Sequence, residues 1–121
     1  MRIFKTTWFA RFASKEGIKD DELKELVKEL EAGLAYANLG GDVYKAQIAR
    51  LGEGKSGGFR VIVFFRSGER TFFIYGFPKS KRDNIDKGEL QVFKADAKDD
   101  FALTDEQINN RLRKGTFIEI C

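Results

Sequence analysis

The stretch Lys55–Ile85, KSGGFRVIVFFRSGERTFFIYGFPKSKRDNI, decides the fold. Two apolar runs, GFRVIVFFR and ERTFFIYGF, flank Ser67-Gly68, and a glycine-containing dipeptide between β-rich runs is the signature of a tight hairpin. Alternation puts Phe59, Val61, Val63 and Phe65 on one face of the first run, with Arg60, Ile62, Phe64 and Arg66 on the other. Pro78 stops the second run because proline cannot donate to the ladder. The hairpin therefore carries Lys55 and Arg60 back toward Lys79, Lys81 and Arg82, at one end of a small sheet.

Upstream, DVYKAQIARL (42–51) also alternates, with Val43, Lys45, Gln47, Ala49 and Leu51 on one face and Tyr44, Ala46, Ile48 and Arg50 on the other. It predicts a half-buried strand that completes an antiparallel meander, joined to the hairpin through a loop, GEGKSGG (52–58). Earlier still, Arg2–Lys5 reads as a short opening strand, and Thr6 or Thr7 caps a helix that ends at Gly17. A second helix starts near Asp20, spaces Leu23, Leu26, Val27 and Leu30 along one face and stops at Gly33. Downstream, Leu90, Phe93, Ala97 and Phe101 share a helical face, Thr104 to Gln107 forms a capping box for a further helix, and Gly115 closes it. TFIEI (116–120) reads either as a last strand or as a segment packed on the sheet edge. The expected fold is α+β: a small antiparallel meander packed against N-terminal helices, with a C-terminal helical extension over 86–121, all in one domain.

Length and composition agree with one core. The chain has 121 residues, 42% hydrophobic and 34% charged, with 12 Phe, which is enough apolar material to fold and enough charge to stay solvated. No apolar run approaches a membrane span and MRIFKTTWFARF lacks the pattern of a signal peptide, so a cytoplasmic protein that meets no membrane is expected. Cys121 is the single cysteine and there is no histidine, which leaves neither a disulfide nor a thiolate or imidazole metal set, and no cofactor is expected. The absence of histidine also excludes a Ser-His triad, and GEGKSGG lacks the spacing of a nucleotide-binding phosphate loop.

Charge is the informative quantity. Lys45, Arg50, Lys55, Arg60, Arg66, Arg70, Lys79, Lys81 and Arg82 face only Glu53 and Glu69 between positions 45 and 82, a net +7 in a chain whose total is +3. Such polarity is the footprint of a polyanionic ligand, and fixed cations on a rigid sheet suit a phosphodiester. RNA is the expected ligand. Metal-free RNA cleavage needs the 2′-OH activated, the phosphoryl oxygens neutralised and the leaving 5′-oxygen protonated. Arg60, beside the flexible Gly57-Gly58 pair, suits the second task through its planar fork, and Lys55, Lys79 and Arg82 join it as catalytic candidates. Lys81, Lys45 and Arg66 are the RNA-binding candidates, each with a solvated surface charge as the alternative.

VYKAQIARLGEGKSGGFRVIVFFRSGERTFFIYGFPKSKRDNI (43–85) resembles the RelE/HigB family of toxins from type II toxin–antitoxin systems, in its branch of small phage-associated RelE-like proteins. The LTDEQINNRLRKGTFIEI tail is similar to that branch's C-terminal extension. The resemblance implies a RelE/ParE-like fold and a ribosome-dependent mRNA endonuclease, cutting in the ribosomal A site and held inactive by a co-expressed antitoxin, often of helix-turn-helix type. By position, Arg60 matches the family's arginine after a glycine-aromatic pair, Lys55 its loop lysines, and Lys79, Lys81 and Arg82 its basic loop after the strand. Many relatives use a tyrosine or histidine in the C-terminal region as acid or base. This chain has no His, and no Tyr beyond the third strand of the meander, so a lysine is the expected donor to the leaving oxygen. Two rivals keep the fold: a ParE-like inhibitor of DNA gyrase, and a degenerate toxin that only binds antitoxin or nucleic acid.

Overall fold

A computed structural model describes residues 1–34, 37–50 and 54–120, with position 50 and positions 54–56 described by backbone alone. Cys121 and positions 52–53 of the expected loop lie outside the described residues. The elements run β1 (Arg2–Thr6), α1 (Thr7–Glu16), α2 (Asp20–Glu31), β2 (Ala37–Asn38), β3 (Val43–Arg50), β4 (Gly54–Phe65), β5 (Arg70–Pro78), α3 (Lys87–Ala102), α4 (Asp105–Lys114) and β6 (Phe117–Ile120). The strands form one sheet in the order β2-β3-β4-β5-β1-β6.

Local signals set most of these boundaries. Thr6 Oγ1 accepts from Phe9 N at 3.1 Å and caps α1, and Gly17 ends it in the left-handed conformation with φ 73°. Thr104 and Gln107 form the expected reciprocal capping box, and Asp86 and Glu89 form a second one at the start of α3. Gly68, at φ 74°, makes the β4–β5 turn that Glu69 N closes onto Arg66 O.

The α+β fold with its antiparallel meander and C-terminal helices is borne out; one expectation is corrected and two are extended. The sheet is mixed: the meander is antiparallel, but β1 pairs parallel to β5, with Phe4 opposite Phe72, and β6 pairs antiparallel to β1. The glycine-rich segment is strand from Gly54 onward, because Gly54 pairs with Arg50 and Gly58 O accepts from Lys79 N, and these ladder bonds offset the freedom glycine gives up. The C-terminal helices are a full layer.

The sheet is thus covered on both faces. Phe9, Leu23, Leu26, Val27 and Leu30 of the N-terminal helices pack with Phe59, Val61, Val63, Phe65 and Phe73 on one side. On the other, Phe4, Val43, Ile62, Phe64 and Phe72 pack with Ala97, Ile108 and Phe117, joined by Leu90, Phe93 and Phe101. Two buried faces explain the unbroken apolar run Val61–Phe65, where a half-solvated strand would alternate.

One acidic group in the second layer works against the fold. Burial pushes the Asp100 carboxyl up to about 6, although Arg111 opposes the shift, so its ionised form is disfavoured in the folded state. The pH-dependent cost is absent while the group is protonated in both states, below about pH 4, grows between about pH 4 and 6, and is constant above that. Asp100→Asn is therefore expected to raise unfolding free energy at pH 7.5, by roughly 1 kcal/mol after allowing for solvent screening, and to leave it unchanged at pH 3.5. Urea titrations at the two pH values check this.

Candidate nucleic-acid interface

A bulge in β5 organises the basic end of the sheet. The β4–β5 register shifts between Ile62, which faces Tyr75, and Val63, which faces Phe73, so Ile74 is the extra residue. Ile74 and Tyr75 both pack against the α3-side core, and Phe77 then falls opposite Arg60. The bulge thereby turns Tyr75 toward the basic loop that follows β5.

That loop, residues 79–86, is where the charges meet. Arg60 Nη1 donates to Asp83 O at 2.5 Å, and Lys45 Nζ, from the neighbouring strand, donates to Asn84 Oδ1 at 3.4 Å. Lys79 N donates to Gly58 O at 3.1 Å, which extends the β4–β5 ladder into the loop. Lys79 is half-buried and Lys81 is exposed. Cations from two strands and the loop therefore share one rim. Lys55 lies upstream of Arg60 in β4, with its side chain outside the described residues.

Arg82 is held from several sides. Its guanidinium grips both carboxylate oxygens of Glu89, its Nε donates to Asn84 O at 2.8 Å, and its Nη1 donates to the Tyr75 hydroxyl at 3.3 Å. Its carbon centre lies 5.4 Å from the Phe77 ring centroid. The hydrogen bonds to Glu89 raise the Arg82 pKa above the ordinary arginine value, and the same ion pair, helped by the Asp86 backbone N–H, lowers that of Glu89. Arg82 is a permanent cation that fixes the loop to α3 and to Tyr75. Since Glu89 serves both this grip and the α3 capping box, removing either partner should disturb the same loop. Arg82→Ala and Glu89→Ala are expected to speed amide exchange in the loop by similar amounts, about tenfold, and the double variant to speed it no more than either alone. A double-mutant cycle on hydrogen exchange of residues 79–86 measures this.

The basic residues do not all gather here. Arg66 stands at the turn end of the hairpin, roughly 20 Å along β4 from Arg60. Its guanidinium binds Asp42 at 2.7 Å and Glu69 at 3.4 Å and lies 4.4 Å from the Phe101 ring, and the Asp42 hydrogen bond raises its pKa. Arg70 is equally engaged there, donating to Leu103 O and to Asp105. Both tie the meander to neighbouring segments, away from the Arg60 rim.

Tyr75, whose hydroxyl faces Arg82, is absent from the sequence-based candidates because they sought a tyrosine beyond the meander and this one lies inside its last strand. The available signal was its place in FFIYGF, three residues before Pro78 and the basic loop. Among the described residues no cluster of three or more His, Cys, Asp or Glu side chains could hold a metal ion, and no helix is long and apolar enough to cross a membrane.

The mixed sheet, its two helical layers and the basic rim define a small RelE-like toxin fold. The chain belongs to the RelE family: the model described as "RelE toxin of RelE / RelB toxin-antitoxin system" matches residues 1–120. It is accordingly the toxin of a toxin–antitoxin pair, and its partner is an antitoxin. No curated protein matches the chain.

Proposed function

We propose that this toxin is a ribosome-dependent mRNA endonuclease of the cytoplasm, restrained by an antitoxin of helix-turn-helix type. The observation that supports the reading is the convergence of Arg60 and Lys45 on the loop that carries Lys79, Lys81 and Arg82. In this reading the message's 2′-oxygen attacks the adjacent phosphorus, a cyclic phosphate forms and the 5′-oxygen leaves with a proton. Arg60 neutralises the charge that builds on the phosphoryl oxygens, because a guanidinium meets a phosphate with two parallel donors and keeps its charge throughout. Lys45, Lys55, Lys79 and Lys81 hold the flanking backbone, and Lys79 is the donor to the leaving oxygen. Arg82 positions the loop and the Tyr75 hydroxyl, which orients the attacking 2′-OH by a hydrogen bond while water takes its proton.

Brief expression in growing cells tests the reading. Messages cut within translated frames, with no DNA-damage response, are the expected result. A DNA-damage response with intact messages would replace it by gyrase inhibition, and unaffected growth would leave a toxin that only binds its partner.

A further inference from the structure

Beside the basic rim lies an aromatic surface that the proposed chemistry does not use. Trp8, the single tryptophan of the chain, sits in the first turn of α1 with 47% of its surface exposed. Its ring is nevertheless held in place. It stacks on Phe12 at 5.5 Å and 15° and lies 4.6 Å from the Tyr75 ring. Tyr75 is the residue whose hydroxyl accepts from Arg82, so the indole is one side chain away from the cation that fixes the basic loop.

The backbone beneath is shaped for this arrangement. β1 pairs with β5 only as far as Lys5 and Phe73, and Thr6 Oγ1 then donates to Ile74 O at 3.2 Å, which starts α1 beside the part of β5 that β1 leaves unpaired. Gly76 lets Phe12 lie flat on that strand, since a Cβ there would come within 2.5 Å of Phe12 Cε2. Phe12 in turn meets Phe9 and Phe59 at 5.8 Å each. The indole is therefore a ledge set on a packed aromatic base, one side chain from the polycationic loop.

We propose that Trp8 is a base-stacking platform, receiving one unpaired base of the RNA whose backbone lies along the Lys79–Arg82 loop. This rests on the nuclease reading and adds to it where a base is held. Single-stranded RNA is bound by pairing a positively charged track with aromatic faces, and every base offers a π-face to an indole regardless of sequence. The platform therefore contributes affinity and placement with little codon preference. A tryptophan that only filled a core would be covered by its neighbours, whereas this one has neighbours on its inner side and solvent beyond.

Full-length toxin titrated with a non-cleavable 2′-O-methyl RNA hexamer tests the proposal, with Trp8 emission and the anisotropy of a label on the RNA followed together. Saturable quenching of Trp8 in step with the anisotropy is expected. Trp8→Leu should weaken binding about tenfold and Trp8→Tyr much less, in keeping with ~1–3 kcal/mol per stacked base. A hexamer lacking the stacked base should bind wild type about tenfold more weakly and bind Trp8→Leu no worse than the intact hexamer does, a coupling that a structural role for Trp8 would not produce. Binding with unchanged emission, the absence of binding, or quenching by antitoxin but not by RNA would overturn the platform. The nuclease reading stands or falls separately, on cleavage of the message by the toxin in the presence of ribosomes.

Discussion

Arg60→Ala is expected to lower the rate of message cleavage at least a hundredfold while the protein stays folded. The size follows from the assigned role, because removing one preorganised donor from a developing oxyanion costs about 10²–10³ in rate. Arg60 also donates to Asp83 O, so part of any loss could come from the loop. Lys45→Ala separates the two, since Lys45 tethers the adjacent residue, Asn84, from the next strand. If loop placement were the whole role of Arg60, the two variants would lose activity alike; the account expects a loss within about tenfold for Lys45→Ala. Arg60→Lys should recover little, because an ammonium restores charge without the planar fork. Stability should fall by only about 1 kcal/mol, the worth of an ordinary hydrogen bond.

The largest effect on the fold is expected at Phe72. Its side chain is fully buried, with Phe4 at 5.3 Å, Phe117 at 5.4 Å and Phe101 at 5.5 Å, so one ring joins β1, β6 and α3 to the meander. Phe72→Ala is expected to cost ~3–5 kcal/mol, through lost burial and an unfilled cavity. That is a large share of the ~5–15 kcal/mol typical of a folded domain, so the variant should be largely unfolded near 37 °C. Urea unfolding measures it. A loss under 1 kcal/mol would mean that the C-terminal layer does not lean on β5 as described.

The sequence revealed what short-range physics sets. Alternation and a turn glycine defined the β4–β5 hairpin, and caps at Thr6 and Thr104 defined helix starts, because each is written within a few residues. The parallel pairing of Arg2 with Arg70 depends on contacts across most of the chain, and nothing local to either strand announces it. The basic cluster was legible as a charge run but not as a place. Counting put Arg66 with Arg60, whereas a strand's length separates them and Asp42 claims the former. Arg82 read as one cation of a run, and its hydrogen bonds to Glu89, Asn84 and Tyr75 could not be seen there. Tyr75 escaped because a single-residue bulge, invisible to alternation, decides which way it faces. Gly76 carried meaning in the same way, since its lack of a side chain matters only through Phe12, which arrives from α1.

In the proposed reading the ribosome supplies the message in the conformation that in-line attack requires and the toxin supplies fixed charge, a division that suits a chain without histidine. Arg82 and Glu89 would then hold the loop, Arg60 would meet the phosphate and Tyr75 would orient the 2′-OH.

Primer extension on a defined message in a reconstituted translation reaction, with and without ribosomes, and with wild type or Arg60→Ala, tests the central claim most directly. Discrete cuts by wild type that require ribosomes and disappear with Arg60→Ala are the predicted result. Intact message under every condition, or cuts by Arg60→Ala at the wild-type rate, would contradict it.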